Sequence, residues 1–173
     1  MVEDVAEIGI RTASVDDAEQ IAAVHIASWR EAYADVVPQS YLDSLDHASR
    51  TEEWREVFAD LDRGTSVWVA EEEGEVLGFA SLGPSRDEDA DRTTMEIYAI
   101  YLEPSAWGRG VARELMRTVL AALPPGAAVT LWVLAANERA QLFYRRNGFT
   151  ADGVERMEEI GGQPFREVRY RRG

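Results

Sequence analysis

From Glu96 to Met116 the chain reads EIYAIYLEPSAWGRGVARELM. An apolar stretch runs through Pro104 into Gly108 and Gly110, and a helical pattern begins at once. A glycine-rich turn between a strand and a helix aims backbone N–H groups outward at the positive end of the helix dipole, which suits an anion. The spacing narrows the choice. A nucleotide phosphate loop needs lysine after its second glycine, but Val111 follows Gly110 and all 18 basic residues are arginine. A dinucleotide fingerprint needs a third small residue where Arg113 stands, inside an N-terminal strand–helix–strand unit that is absent here. A simple tight turn remains open on this motif alone.

Other chemistries are removed by composition. Cysteine is absent and histidine occurs only at His25 and His47, so no thiol nucleophile, disulfide framework or metal site is expected. Without lysine there is no Schiff base and no modification of this chain's own lysine side chains. The net charge is −14, so the average surface repels nucleic acid and anionic membrane, and neither is an expected partner. No apolar run is long enough to span a bilayer. The acidic opening MVEDVAEIGI does not read as a secretory signal, and the expected location is the cytoplasm.

The elements that must position the turn follow from periodicity. The length suits one domain, 1–173, without repeats or linkers. EIGIRTA reads as a strand. Ser14 with Asp17 marks a helix start, and Ile21, Val24 and Ala32 carry the apolar stripe to Tyr33, ahead of Pro38. Trp54, Val57, Phe58 and Leu61 share one face of a second helix over residues 48–61. Strands at 66–71 and 76–83 form a hairpin through Glu73-Gly74, and PSRDEDADRTT at 84–94 reads as a mobile acidic loop. MEIYAIYLE is a strand and 109–123 a helix. AVTLWVL is a strand apolar enough to be buried on both faces. Asn137 caps a helix that ends near Asn147-Gly148, and two strands around Gly161-Gly162 close the chain. The order is β–α–α–β–β–β–α–β–α–β–β, a mixed α+β domain.

Charge singles out two of these helices. Arg109, Arg113 and Arg117 stand against Glu114 alone, and Arg139, Arg145 and Arg146 against Glu138. Locally basic helices on an acidic chain suit a polyanion, since guanidinium groups grip phosphates with paired donors. For any single arginine a solvated helix face is the alternative. The constellation resembles the GNAT acyltransferase superfamily, which uses acetyl-coenzyme A. The family's Gln/Arg-x-x-Gly-x-Gly/Ala turn is met at Gly110 and Ala112, with Trp107 where Gln or Arg is usual. NERAQLFYRRNGF is similar to the second cofactor segment in its Asn137, Ala140, Phe143-Tyr144 and Gly148-Phe149. VHIASWREAYADVVPQSYLDSL resembles the first two helices of one bacterial branch of mixed substrates. The element order fits the family over nearly the whole chain. The resemblance implies a mixed, mostly antiparallel sheet of about seven strands with about four helices.

The same resemblance implies roles for particular residues. Backbone N–H groups along Gly108, Arg109, Gly110, Val111 and Ala112 would hold the pyrophosphate, with Trp107 packing over the cofactor mouth. Ile100, Tyr101 and Leu102 would pair with the pantetheine arm and polarise the acetyl carbonyl. Tyr144 would give a proton to the leaving thiolate. Glu96 would take the amine's proton through water, and strand alternation sets Glu96, Tyr98 and Ile100 on one side; a solvent-exposed carboxylate at the strand end is the alternative. Asn137 would cap its helix and also bond the pantetheine. His25, Trp29 and Tyr33 form one helical stripe, read either as an acceptor wall or as a core or dimer contact, and Trp29, Tyr33 and Tyr98 are the candidate acceptor contacts. Arg166, Arg169, Arg171 and Arg172 alternate along the last strand and are read as surface. The implied activity is acetyl transfer from acetyl-CoA to a primary amine of a small cationic molecule, by direct attack in a ternary complex. No cysteine is present to carry an acyl group. Acetylation of a protein N-terminus, or coenzyme A binding with little catalysis, are the alternatives. A homodimer is a family-level expectation.

Overall fold

The structure, a computed structural model, describes residues 7–60 and 64–173. Leu61, assigned to the second helix face, lies outside them. Strand β1 (Gly9–Thr12) leads through a 3-10 turn into helix α1 (Ala18–Ala32). Asp17 organises that entry: its carboxylate accepts the Ser14 N–H at 2.8 Å and pairs with Arg11 at 2.8 Å. Next come α2 (Gln39–Ser44), α3 (His47–Ala59), β2 (Ser66–Glu72), β3 (Glu75–Pro84) and β4 (Met95–Leu102). Helix α4 (Val111–Ala121), β5 (Val129–Leu134), α5 (Glu138–Arg146), β6 (Thr150–Ile160) and β7 (Gln163–Arg172) complete the chain. The short α2 lies in the segment whose resemblance implies a second helix, although periodicity alone does not place it. Pro38 fixes its entry, and six residues are too few to carry a readable apolar period.

The seven strands make one sheet in the order β1-β2-β3-β4-β5-β7-β6, antiparallel except between β4 and β5. That parallel pairing ends after Met95↔Val129 and Glu96↔Thr130. Further along, β4 stays with β3 as far as Gly78↔Leu102, while β5 follows β7 as far as Leu134↔Glu167. The two halves of the sheet therefore diverge, and a wedge opens inside it. Backbone groups along an unpaired strand edge need partners, so such a wedge is ready to accept an extended chain.

Both faces of the sheet are covered. Leu115, Met116 and Val119 of α4 pack with Ile97, Ile100, Leu131 and Val133 on one face. Ile21, Ala22 and Val24 of α1 meet Trp54, Val69 and Phe79 on the other. Leu115 and Met116 are fully buried, which stabilises α4 by about 1.5–3 kcal/mol per side chain.

Two expectations are corrected here. Residues 85–94 are not a free loop but are tied down at both ends and the middle. Arg86 pairs with Glu96, Asp87 accepts the Trp132 indole N–H at 3.0 Å, and Asp91 accepts from Thr93 and Thr94. The backbone N–H and hydroxyl of both threonines donate to Asp91, which pulls its carboxyl down to about 2. The second correction is Arg169, which is buried rather than on the surface. Its guanidinium donates to Asp89 at 2.6 and 2.7 Å, to Asp152 at 2.6 Å and to Asp87 at 3.2 Å. Three carboxylates distant from Arg169 in sequence make this buried charge tolerable, and none of them is visible from the alternation of β7.

Candidate active site

The wedge holds a cleft of about 650 Å³ that passes through the sheet. On one face it runs between the N-terminus of α4 and helix α5, lined by Gly108, Gly110, Arg113, Arg139, Phe143 and Tyr144. Ile100, Tyr101 and Leu102 of β4 and Trp132, Val133 and Leu134 of β5 form its walls. On the opposite face it meets Trp29 and Tyr33 of α1 and Glu167 of β7.

The glycine turn has the character expected from its sequence. Gly108 and Gly110 adopt φ of 77° and 80°, a left-handed conformation that disfavours other residues. A Cβ at either position would meet nothing within 4 Å, so φ alone requires glycine, and the space over the backbone is open. The first N–H groups of α4 have no intrahelical partner until Glu114 bonds Gly110 at 3.2 Å. The turn's N–H groups are unobstructed, a geometry suited to an anion. Arg113, Arg139 and Arg146 line the cleft beside the turn. Arg109 does not: its side chain turns to Glu72 at 2.5 Å. Arg117 pairs with Glu114, and Arg145 donates to the Tyr170 hydroxyl.

Trp107 lies across the mouth. Its indole N–H donates to the Leu102 carbonyl at 3.3 Å, and the Arg139 guanidinium stacks on its ring at 4.0 Å. The indole is thus occupied by β4 and by a cation, and a phosphate would be held by the turn's backbone and by Arg139. Trp107→Gln should change coenzyme A affinity by less than about tenfold, about 1.4 kcal/mol, as read by isothermal titration. A larger loss would make the indole itself a ligand.

Tyr144 sits inside the cleft, buried among Phe143, Phe149 and Tyr170. Burial pushes its phenol well above the ordinary tyrosine value, so it stays protonated. Among the described residues no protein group hydrogen-bonds its hydroxyl, which leaves that donor to the cleft. Asn137 caps α5 by accepting the Ala140 N–H at 3.1 Å, and its amide donates to the Tyr33 hydroxyl at 2.9 Å. Both ends of Asn137 have protein partners, and it ties α1 to α5 across the cleft. Tyr33 is also pushed up, by burial first, with Tyr101 and Glu167 adding.

Glu96 and Tyr98 are not brought to the cleft. A register shift in β4 pairs Ser81 with Ala99 and Leu82 with Ile97, which breaks the alternation that grouped Glu96, Tyr98 and Ile100. Glu96 is 2% exposed at the closed end of the wedge, where it accepts Arg86 N–H at 3.0 Å and Arg86 Nη2 at 2.7 Å. Four residues of strand, about 13 Å, separate it from Ile100. The Tyr98 hydroxyl donates to the Pro84 carbonyl, and Arg86 stacks on its ring. Trp132 and Glu167 line the cleft without having been singled out in the sequence. The one polar-edged aromatic in an apolar strand could have flagged Trp132. Glu167 carries no sequence signal.

Among the described residues no helix is long and apolar enough to cross a membrane, and no group of acids and histidines could hold a metal ion.

Comparison with known proteins matches this architecture to one family. The sequence model of the acetyltransferase (GNAT) family matches residues 26–149. The uncharacterized N-acetyltransferase YuaI of Bacillus subtilis is 32% identical, over 89% of this chain and 91% of that protein. The PaiA N-acetyltransferase of Thermoplasma acidophilum, solved in complex with coenzyme A, superposes with a TM-score of 0.75 at 20% identity, covering 96% of this chain and 98% of the other. YncA, a putative acetyltransferase of Salmonella typhimurium solved with acetyl-CoA, gives 0.69 at 24% identity, with coverages of 95% and 92%. With the open glycine turn, the split sheet and the buried tyrosine all on one cleft, the chain belongs to the acetyltransferase (GNAT) family and is an N-acetyltransferase.

Proposed function

We propose that the protein transfers an acetyl group from acetyl-CoA directly to the primary amine of a small molecule, cationic at that amine, in a ternary complex. One observation carries this reading: a single cleft opens on both faces of the sheet, and Tyr144 lines it. Acetyl-CoA fits the α4–α5 side. The free N–H groups of the turn and Arg113, Arg139 and Arg146 would hold its phosphates, and the open edge of β4 at Ile100 to Leu102 would hold the pantetheine arm. The thioester supplies an activated acetyl group. Tyr144 would hand its proton to the departing sulfur, and the amine would approach from the α1 side.

The far end of the cleft favours a small acceptor over a polypeptide N-terminus. The turn between β6 and β7 is packed onto α2, so tightly that a Cβ at Gly161 would come within 2.9 Å of Tyr41 Cβ. Ile160 and Phe165 join Leu42 and Tyr33 in one apolar cluster. That packing narrows the room for an extended peptide beside α2, which supports the small-acceptor reading.

The test is a thermal shift. At 100 times its dissociation constant a ligand stabilises by about 2.7 kcal/mol, which raises Tm by about 5–11 °C for a domain of this size. Thiol release should then appear on adding amines. An unchanged Tm at millimolar acetyl-CoA would overturn the reading.

A further inference from the structure

Behind the cleft, on the α1 face, lies a second hollow of about 260 Å³ between α1, α2, α3 and the β6–β7 hairpin. Its lining includes His25, Trp29, Tyr41, Arg50, Arg156 and Glu167. Among the described residues only Trp29 and Glu167 line both spaces, so they form the throat between them. Among the described residues, two buried side-chain nitrogens have no hydrogen-bond partner, and both their residues line this hollow. They are His25 Nδ1 and Trp29 Nε1; the indole N–H lies beside the Tyr101 hydroxyl without completing a hydrogen bond of ordinary geometry. Burial, then Arg50, lower the His25 imidazole to about 4, so it is neutral at physiological pH. Unmatched polar atoms at such depth point to a polar occupant.

Glu167 is the carboxylate at the throat. It stands on β7 opposite Leu134 of β5, where the sheet is already split, and opposite Arg156 of β6. Its side chain is 14% exposed and accepts Arg156 Nε at 2.8 Å. The other acids nearby, Glu31, Glu158 and Glu159, are exposed residues of one space or the other. Glu96 lines neither.

We infer that Glu167 receives the ammonium group of the acceptor and takes its proton, with the rest of a small amine lodged in the second hollow. This rests on the acetyl-transfer reading above. An alkyl ammonium is no nucleophile until it loses a proton. That proton passes to the Glu167 carboxylate, and the nitrogen lone pair forms a bond to the acetyl carbon as the carbon–sulfur bond breaks. Sulfur takes a proton from Tyr144, and the second proton shed by the nitrogen as it becomes an amide restores Tyr144. Glu167 returns its proton to solvent through the hollow. Arg156 holds the carboxylate in place.

The test compares two kinds of nucleophile by thiol release. Ethanolamine, spermidine and glycinamide are protonated at neutral pH, whereas hydroxylamine is already free base. Glu167→Gln should keep the thermal shift with acetyl-CoA. It should lose about 100-fold or more in kcat/KM with the alkylamine used best, and less than about fivefold with hydroxylamine. Glu167→Asp should recover at least about tenfold of the loss, since a carboxylate remains. An alkylamine rate within about threefold of wild type, or a parallel fall with hydroxylamine, overturns the assignment. If Glu167→Gln does not fold, Glu167→Ala replaces it, with the same loss expected for the alkylamine and the same sparing of hydroxylamine; an alkylamine rate near wild type or a parallel fall with hydroxylamine overturns the assignment. Wild-type protein that shifts with acetyl-CoA yet releases no thiol with any of these amines would sink the transfer reading, and Glu167 with it.

Discussion

Tyr144→Phe is expected to lower kcat by about 100-fold or more while leaving acetyl-CoA affinity within about threefold. The substitution removes one oxygen from a side chain whose ring packs against Phe149 and Tyr170. No protein hydrogen bond to that oxygen is lost among the described residues, so folding stability should hardly move. What disappears is a proton donor inside the cleft. Because burial raises this phenol above the ordinary tyrosine value, its protonated form persists across the working pH range. The wild-type kcat should therefore show no alkaline decline attributable to Tyr144 below pH ~10. Stopped-flow measurement of thiol release at saturating acetyl-CoA separates this step from cofactor binding. A kcat within about threefold of wild type would leave Tyr144 as a packing residue only.

Much of this cleft could be read from the chain. Gly108 and Gly110 could be read because a left-handed turn before a helix leaves few residue choices, and Asn137 because a cap is a local event. The seven strands and their connections follow from alternation and turn residues. Three features resisted for one physical reason: they depend on register or on distant contacts. The shift at Ser81/Leu82 turns the alternation of β4, so Glu96 points to Arg86 instead of sharing a side with Ile100. The early end of the β4–β5 ladder turns Trp132 and Glu167 into cleft walls. Nothing local to either residue encodes that. Arg109 reads as a cofactor contact by position in the turn, yet a carboxylate on β2 takes its side chain away.

Arg169→Met should lower stability by about 2–4 kcal/mol and Tm by about 5–15 °C. The guanidinium is 7% exposed and answers Asp87, Asp89 and Asp152 at once, so removing it leaves three carboxylates facing one another. The figure sits at or below the usual cost of breaking a buried pair. The charge is shielded mainly by its carboxylate partners, and one of them, Asp89, is 58% exposed and can turn to water. The pH dependence has a definite sign. Arg169 holds the Asp89 carboxyl below its ordinary value of 3.8. That contribution is fully present above about pH 4 and is lost as pH falls through the lowered value. The stability gap between wild type and variant should therefore be constant from neutrality to about pH 5 and narrow below pH 4. Denaturant melts at pH 7 and pH 3 would measure it, and an equal gap at both would deny the carboxylates their role. The effect should also reach the cleft. Asp87 holds the Trp132 indole, and Arg156 stacks on the same ring at 4.1 Å. Loosening residues 85–94 therefore frees a wall of the acceptor side, and KM for the amine should rise while that for acetyl-CoA stays level. This split separates a buried charge that merely holds the sheet together from one that also shapes the side of the cleft the amine enters.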